Sequence, residues 1–436
     1  MVTFVAAACV AGAVLFSPDD VRQVLDYWKP DYRLSTAPVI DAETLGPWTA
    51  VYNPEASTWL LTYLKARQGN GGKVIPTQDP AGKTAEQKAA DAWIDAKVNH
   101  DEGMAKHKAV DMNFPAARGG APRLPMPPAD PGPCPADMVA VAGSEPPPFY
   151  LTMRRTDFSV QFDDIIVKYH DNVKVRRKYA YYRFPDGVAS EGVAVKEMSP
   201  TELDGLFTDA GLSASDRRVM GAVSLLEGGF DAVNTYDTGY VSVGFIQFAT
   251  LREGAGSLGK MMLGYKTADP EHFALDFHRY GIDVDTDGSL VVLDLATGTE
   301  CRGPEANMAC IRDKRLVAVF QRAGLLSKPF RLAQLRSAKE QFYPGDDPVT
   351  VTFPDGHTEQ AKVKDFVKSE AGMATLFDKK VNTGHIRELA GALSSVAATH
   401  TCANCKDLAK YEREIVQKMR YRRDFLADPT LGQPRS

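Results

Sequence analysis

Apolar and polar positions change rhythm several times along the chain, and each change predicts a different kind of element. Ser17 followed by Pro18 reads as an N-cap and first helical turn. Residues 83–109, KTAEQKAADAWIDAKVNHDEGMAKHKA, hold strong helix formers with few apolar anchors, which predicts a solvent-facing helix. Residues 17–113 therefore read as mainly helical and polar. Residues 114–148 are dense in Pro, Ala and Gly, cannot sustain helix or sheet hydrogen bonding, and predict a semi-rigid linker. Residues 149–198 carry short aromatic and β-branched runs with polar alternation, which predicts a few strands. From Ser199 to about residue 426 the pattern is helical, interrupted by two hairpins with DG turns, at 283–300 and 348–363.

The expected fold is a predominantly helical α+β architecture. Its parts are an apolar amino-terminal segment (1–21), a helical region (22–113), a Pro-rich linker (114–148), a β-rich segment (149–198) and a main domain (199–430) with the two hairpins inserted. A length of 436 residues fits two or three domains.

The net charge of -5 argues against a nucleic-acid binder. Residues 4–16, FVAAACVAGAVLF, are too short to span a bilayer as a helix. They have the length of a signal-peptide core, with Ala11-Gly12-Ala13 as a small-residue cleavage site, so export is expected; a buried first helix is the competing reading. In an exported chain, Cys301–Cys310 and Cys402–Cys405 would form two local disulfides. The single CxxC at Cys402–Cys405 has no second copy, so a four-thiolate zinc site is not expected, nor is any cofactor.

Arg154, Arg155, Lys174, Arg176, Arg177 and Lys178 are interleaved with Tyr169, Tyr179, Tyr181 and Tyr182. Such a mixture suits a polyanion, but a solvated strand face is the reading favoured here. A basic helix is expected over 406–425, where an anionic polymer would fit. Asp283, Asp285, Asp287, Gly288 and Asp294 approximate a calcium loop, but Val291 and the following β-branched run favour an acidic hairpin turn.

The sharpest chemical signal lies around residue 227. Ser213 and Asp216 form a capping box, and Val219, Ala222, Val223 and Leu226 form one apolar stripe. Glu227 extends that stripe, and Gly228-Gly229 then end the helix. A carboxyl on an apolar face is pushed toward its neutral form, as a general acid in glycoside cleavage requires. The simpler alternative is a helix-end Glu that is exposed or paired with Arg217 or Arg218.

Downstream, Ser242-Val243-Gly244-Phe245-Ile246-Gln247 has the form S-x-G-x-x-Q, and Asn382-Thr383-Gly384 the form N-x-G. Over about residues 203–426 this order resembles the lysozyme-like superfamily: lytic transglycosylases, goose-type lysozymes and the bacterial chitosanases. Gly228 stands where transglycosylases often carry Ser. The Asp237–Gly239 run is more similar to the chitosanases. The resemblance implies a lysozyme-like catalytic domain and cleavage of β-1,4 linkages in peptidoglycan or a related amino-sugar polymer. It implies Glu227 as general acid and Asp237 as second carboxylate, with Asp231 as the other candidate. Tyr236, Ser242, Gly244, Gln247 and Asn382 would contact sugar rings, hydroxyls or acetamido groups. The alternatives are a chitosanase-like glycosidase and a non-catalytic glycan-binding protein.

Overall fold

The computed structural model describes residues 14–68, 84–114, 120–193, 195–225, 228–421 and 424–434. The fold is mixed α/β and dominated by helix. Its first half contains α1 (Pro18–Trp28), β1 (Leu34–Pro38), β2 (Trp48–Tyr52), α2 (Pro54–Gln68), α3 (Ala85–Asn113), α4 (Ala136–Ala142), β3 (Tyr150–Arg154), β4 (Thr156–Gln161), β5 (Ile166–His170) and β6 (Ala189–Ser190). The region from 17 to 113 is thus less helical than expected, because it holds β1 and β2.

Both strands pair with partners about a hundred residues or more away. β2 runs antiparallel to β3, with Trp48 opposite Arg154 and Tyr52 opposite Tyr150. β1 runs antiparallel to β4, with Leu34 opposite Val160, and β4 pairs with β5. Segments 22–113 and 149–198 therefore share sheets.

A smaller hydrophobic core forms around α2, α3, α4 and the β2–β3 pair, with Trp59, Tyr63, Ile94, Met138 and Phe149 inside. The helix α3 is not simply solvent-facing. Ala90, Ile94, Val98, Asp101, Ala105 and Ala109 make one buried stripe, and its alanines allow β2 and β3 to approach closely. Small side chains hide such a stripe from a hydrophobicity pattern. Residues 125–130 run along α3, where the His100 and His107 rings bond to Pro128 O at 2.8 Å and Pro125 O at 2.9 Å.

The larger core is built by the second half of the chain together with α1 and residues of β4 and β5. Trp28 of α1 is 2% exposed, donates from Nε1 to Tyr280 O at 3.0 Å and meets Phe162 edge-on. Phe16 stacks on His278, and the Leu15 and Phe16 amides bond to Glu300 at 2.9 and 3.1 Å. The end of the apolar run is thereby buried in this core; residues 4–13 of it, with the cleavage-like site and Cys9, lie outside the described residues.

The second half continues with α5 (Pro200–Asp209), α6 (Ala214–Ser224), β7 (Val233–Asn234), β8 (Ser242–Val243), β9 (Phe248–Ala249), α7 (Gly256–Ala268), α8 (Pro270–Asp276), β10 (Ile282–Val284), β11 (Leu290–Leu293) and β12 (Glu300–Arg302). Then follow α9 (Pro304–Arg312), α10 (Lys314–Leu326), α11 (Lys328–Phe342), β13 (Pro348–Thr352), β14 (Thr358–Lys362), α12 (Val363–Phe366), α13 (Glu370–Thr383), α14 (Glu388–Thr399), α15 (Cys405–Leu408) and α16 (Glu412–Lys418). Both DG hairpins are present, β10–β11 and β13–β14, and β12 adds a third strand to the first.

The acidic turn of the first hairpin is used internally. Asp283 binds Lys266 at 2.6 Å and His278 at 2.7 Å, Asp285 binds Arg302, and Asp287 accepts from the Ser289 amide. Among the described residues no cluster of His, Cys, Asp and Glu is arranged for a metal. The expected disulfides are not formed: Cys301, Cys310, Cys402 and Cys405 are free thiols. The basic helix expected over 406–425 is two short helices, α15 and α16, joined by a single 3-10 turn. No helix among the described residues is long and apolar enough to cross a membrane.

Candidate functional site

The stretch from the end of α6 to β9 carries most of the predicted site residues. Ser213 caps α6 through the expected box, accepting from the Asp216 amide while the Asp216 carboxylate accepts from Ser213 N–H. Val219 and Val223 are fully buried, and Ala222 is partly buried. The helix ends at Leu225, which is exposed; Leu226 and Glu227 lie outside the described residues. The two cations nearest in sequence are already engaged, Arg217 by Asp204 at 3.1 Å and Arg218 by Glu370 at 2.6 Å.

Gly229 lies against the 191–193 segment, donating to Glu191 O at 3.0 Å. A Cβ there would sit 1.9 Å from Val193 O, so only glycine fits. The chain then enters a four-stranded antiparallel sheet of order β6-β7-β8-β9. Tyr236 and Asp237 lie on the β7–β8 loop.

Asp237 is the most heavily bonded group of that loop. Its carboxylate accepts from Gly239 N–H at 2.8 Å, Tyr179 Oη at 3.1 Å and Asn234 Nδ2 at 3.4 Å. Burial nevertheless pushes its carboxyl above the usual range, outweighing these bonds and the field of Arg183. The same loss of water raises Tyr179 and lowers Arg183.

Half-buried aromatic rings surround Asp237. Tyr236 lies 6.3 Å from Tyr179, Tyr179 lies 5.8 Å from Tyr181, and Tyr240 meets Phe184 at 5.1 Å. The 179–184 side of this wall comes from a segment that sequence reasoning did not connect with the loop. Its interleaved tyrosines were the available signal, but nothing local indicated that they face Asp237.

Asp231 is 6% exposed and has a different setting. Its Oδ1 accepts from Val193 N–H at 2.9 Å, and burial raises its carboxyl. It lines a cavity of about 170 Å³ with Glu197, Ser199, Glu202 and Arg331.

The S-x-G-x-x-Q run is the β8–β9 turn. Ser242 is buried in β8, opposite Ala249. Gly244 has φ +86, and a Cβ on it would lie 2.1 Å from Gln334 Oε1, so the space beside it is filled by protein. Gln247 donates from Nε2 to Gly244 O at 2.9 Å and closes the turn. Asn382 occupies the last turn of α13, where its amide bonds to Asp378 O at 2.9 Å. This run and Asn382 are therefore tied to the scaffold, while the half-buried polar and aromatic wall belongs to Asp237 and its tyrosines.

What this arrangement can do chemically is present flat faces to a ring-shaped ligand beside a carboxyl held toward its neutral form. Comparison with family models, curated proteins and solved structures finds no match to this chain.

Proposed function

We propose that this protein cleaves the β-1,4 linkages of peptidoglycan, as a lysozyme or a lytic transglycosylase, through a lysozyme-like domain over about residues 199–430. Glu227 is the general acid, and the protein acts outside the cytoplasm. One observation carries the reading: Asp237, a carboxyl raised by burial, sits among half-buried tyrosines on the β7–β8 loop, ten residues after Glu227 in the chain. In this reading Glu227 protonates the glycosidic oxygen, while Asp237, in its ionised form and therefore above the raised value of its carboxyl, stabilises the positive charge developing on the sugar or activates water. Tyr179, Tyr236 and Tyr240 stack on sugar rings. Arg217 and Arg218 already have carboxylate partners in Asp204 and Glu370, which disfavours the alternative of a helix-end Glu paired with one of them.

The test is mass spectrometry of purified sacculi after digestion. Wild type releases fragments with reducing or anhydro ends, and Glu227→Gln releases none while keeping its fold. Full release by Glu227→Gln rejects the assignment. A parallel digestion of chitosan separates the chitosanase-like alternative. A second reading is a non-catalytic glycan-binding protein, in which the tyrosines beside Asp237 hold sugar rings without cleavage. Wild type that binds sacculi and releases nothing would establish it.

A further inference from the structure

The segment that supplies Tyr179 and Tyr181 also carries cations, and two of them border the Asp237 wall without a carboxylate partner. Arg177 and Lys178 are held by α3, where they pair with Glu102 and Asp95, each at 2.6 Å. Arg176 makes no ion pair among the described residues, and its guanidinium lies 5.4 Å from the centre of the Tyr179 ring. Burial raises the phenols of Tyr179, Tyr181 and Tyr236, and the field of Arg176 opposes it at all three. This one cation is therefore within reach of each ring.

Arg183 meets the same rings from the other end of the segment. It is half-buried, and its Nη1 donates to Tyr182 O at 2.6 Å and to Ser57 Oγ at 3.2 Å. It too has no ion pair among the described residues. Burial lowers it, while Tyr240, Asp237, Tyr179 and Tyr181 act on it in the opposite sense. Arg176 and Arg183 thus share the Tyr179–Tyr181 pair, whose rings lie 5.8 Å apart.

The wall sets two arginines against one acid, and that acid is already bonded to Gly239, Tyr179 and Asn234. Surplus positive charge beside aromatic faces suits a ligand that has both a ring and a negative charge. A guanidinium resting on an aromatic ring keeps its edge free, and that edge matches the two oxygens of a carboxylate. A cationic polymer such as chitosan would meet repulsion here.

We infer, resting on the glycan reading above, that this wall selects an amino sugar that bears a carboxylate, with Arg176 as the residue that binds the carboxylate and Arg183 as a second, scaffold-held charge. The carboxylate belongs either to the sugar's own acidic arm, as in N-acetylmuramic acid, or to a peptide attached to that arm.

The experiment titrates the full chain with three disaccharides at constant ionic strength and reads binding by saturation-transfer NMR. The first is neutral, built of two N-acetylglucosamines. The second contains N-acetylmuramic acid with its carboxylate free, and the third has that arm amide-linked to a dipeptide that ends in a carboxylate. At least one acidic disaccharide is expected to bind about tenfold more tightly than the neutral one. Which acidic form binds more tightly identifies the source of the carboxylate. Arg176→Gln, at an exposed position, should reduce that ratio to about twofold or less, and Arg176→Lys should restore part of it. If the neutral disaccharide binds wild type as tightly as the acidic ones, or more tightly, the selection is absent and the proposal falls while the glycan reading stands. If none of the three binds, both fall. A tenfold preference that survives in Arg176→Gln overturns the role of Arg176.

Discussion

Tyr179 donates a hydrogen bond from Oη to Asp237 Oδ2 at 3.1 Å, joining the segment before β6 to the loop after α6. The bond favours the ionised carboxylate, yet burial prevails and the carboxyl stays above its ordinary value. The sign for stability follows. Because the folded carboxyl holds its proton to higher pH than the unfolded one, the native state gains on the acid side and loses stability as pH rises from about 3.8 through the raised value. Asp237→Asn removes that ionisation and keeps an oxygen to accept from Gly239 and Tyr179. Urea unfolding between about pH 4 and pH 7 should show a flatter profile for the variant, and at pH 7 the variant should be at least as stable as wild type. A variant less stable than wild type at pH 7 would mean that the bonds outweigh burial.

If Asp237 also serves cleavage, the same substitution separates the two roles. Release of fragments from sacculi by Asp237→Asn should fall by about a hundredfold or more, while the fold gains stability. Tyr179→Phe removes one bond to the carboxylate and should shift the acid limb of the activity profile to higher pH, with a smaller loss of rate.

Much of this was legible in the chain itself, for local reasons. The β10–β11 and β13–β14 hairpins were visible because a DG turn and flanking β-branched residues specify a hairpin within a few positions. The α6 capping box was visible for the same reason. The β1–β4 and β2–β3 pairs were not, because β1 reads Leu-Ser-Thr-Ala-Pro and carries no alternation of its own. Its partner is fixed by tertiary context alone. The contact of Tyr179 with Asp237 is hidden in the same way. For Ser242, Gly244 and Gln247, the motif was found but its local use as a turn was not, since spacing does not say where a side chain points.

Gln334 holds that turn from the α11 side. Its side chain donates to Phe230 O at 2.9 Å and accepts from Phe245 N–H at 3.2 Å, and it is fully buried. In Gly244→Ala the new Cβ would meet this locked amide and would also hold a left-handed backbone. The expected loss is about 2–4 kcal/mol in chemical unfolding, the sum of backbone strain and a broken buried bond. A loss below 1 kcal/mol would show that Gln334 yields easily.

Trp28 tests whether α1 belongs to the large core. Its ring is buried against Phe162 and Tyr280, and its indole N–H has one acceptor, Tyr280 O. Trp28→Ala should cost about 3–5 kcal/mol and do so within a single cooperative transition. Two separate transitions would instead place α1 in a unit of its own.

His278 ties the amino-terminal segment to the first hairpin. Its ring stacks on Phe16, its Nδ1 lies 2.7 Å from Asp283 and its Nε2 lies 3.7 Å from Asp20, with Lys266 on the other side of Asp283. The bond to Asp283 raises the imidazole above its ordinary 6.5 against the opposing effects of burial and Lys266. A raised histidine contributes stability that is complete below about 6.5 and is lost as pH rises through the folded value. Asp283 itself is lowered, so its own contribution is lost only in acid, well outside that window. His278→Gln should therefore lower the thermal midpoint at pH 6 and have much less effect at pH 9, narrowing the gap between variant and wild type as pH rises. A gap that stays constant across this range would show that the ring contributes only its stacking on Phe16, with no charge involved.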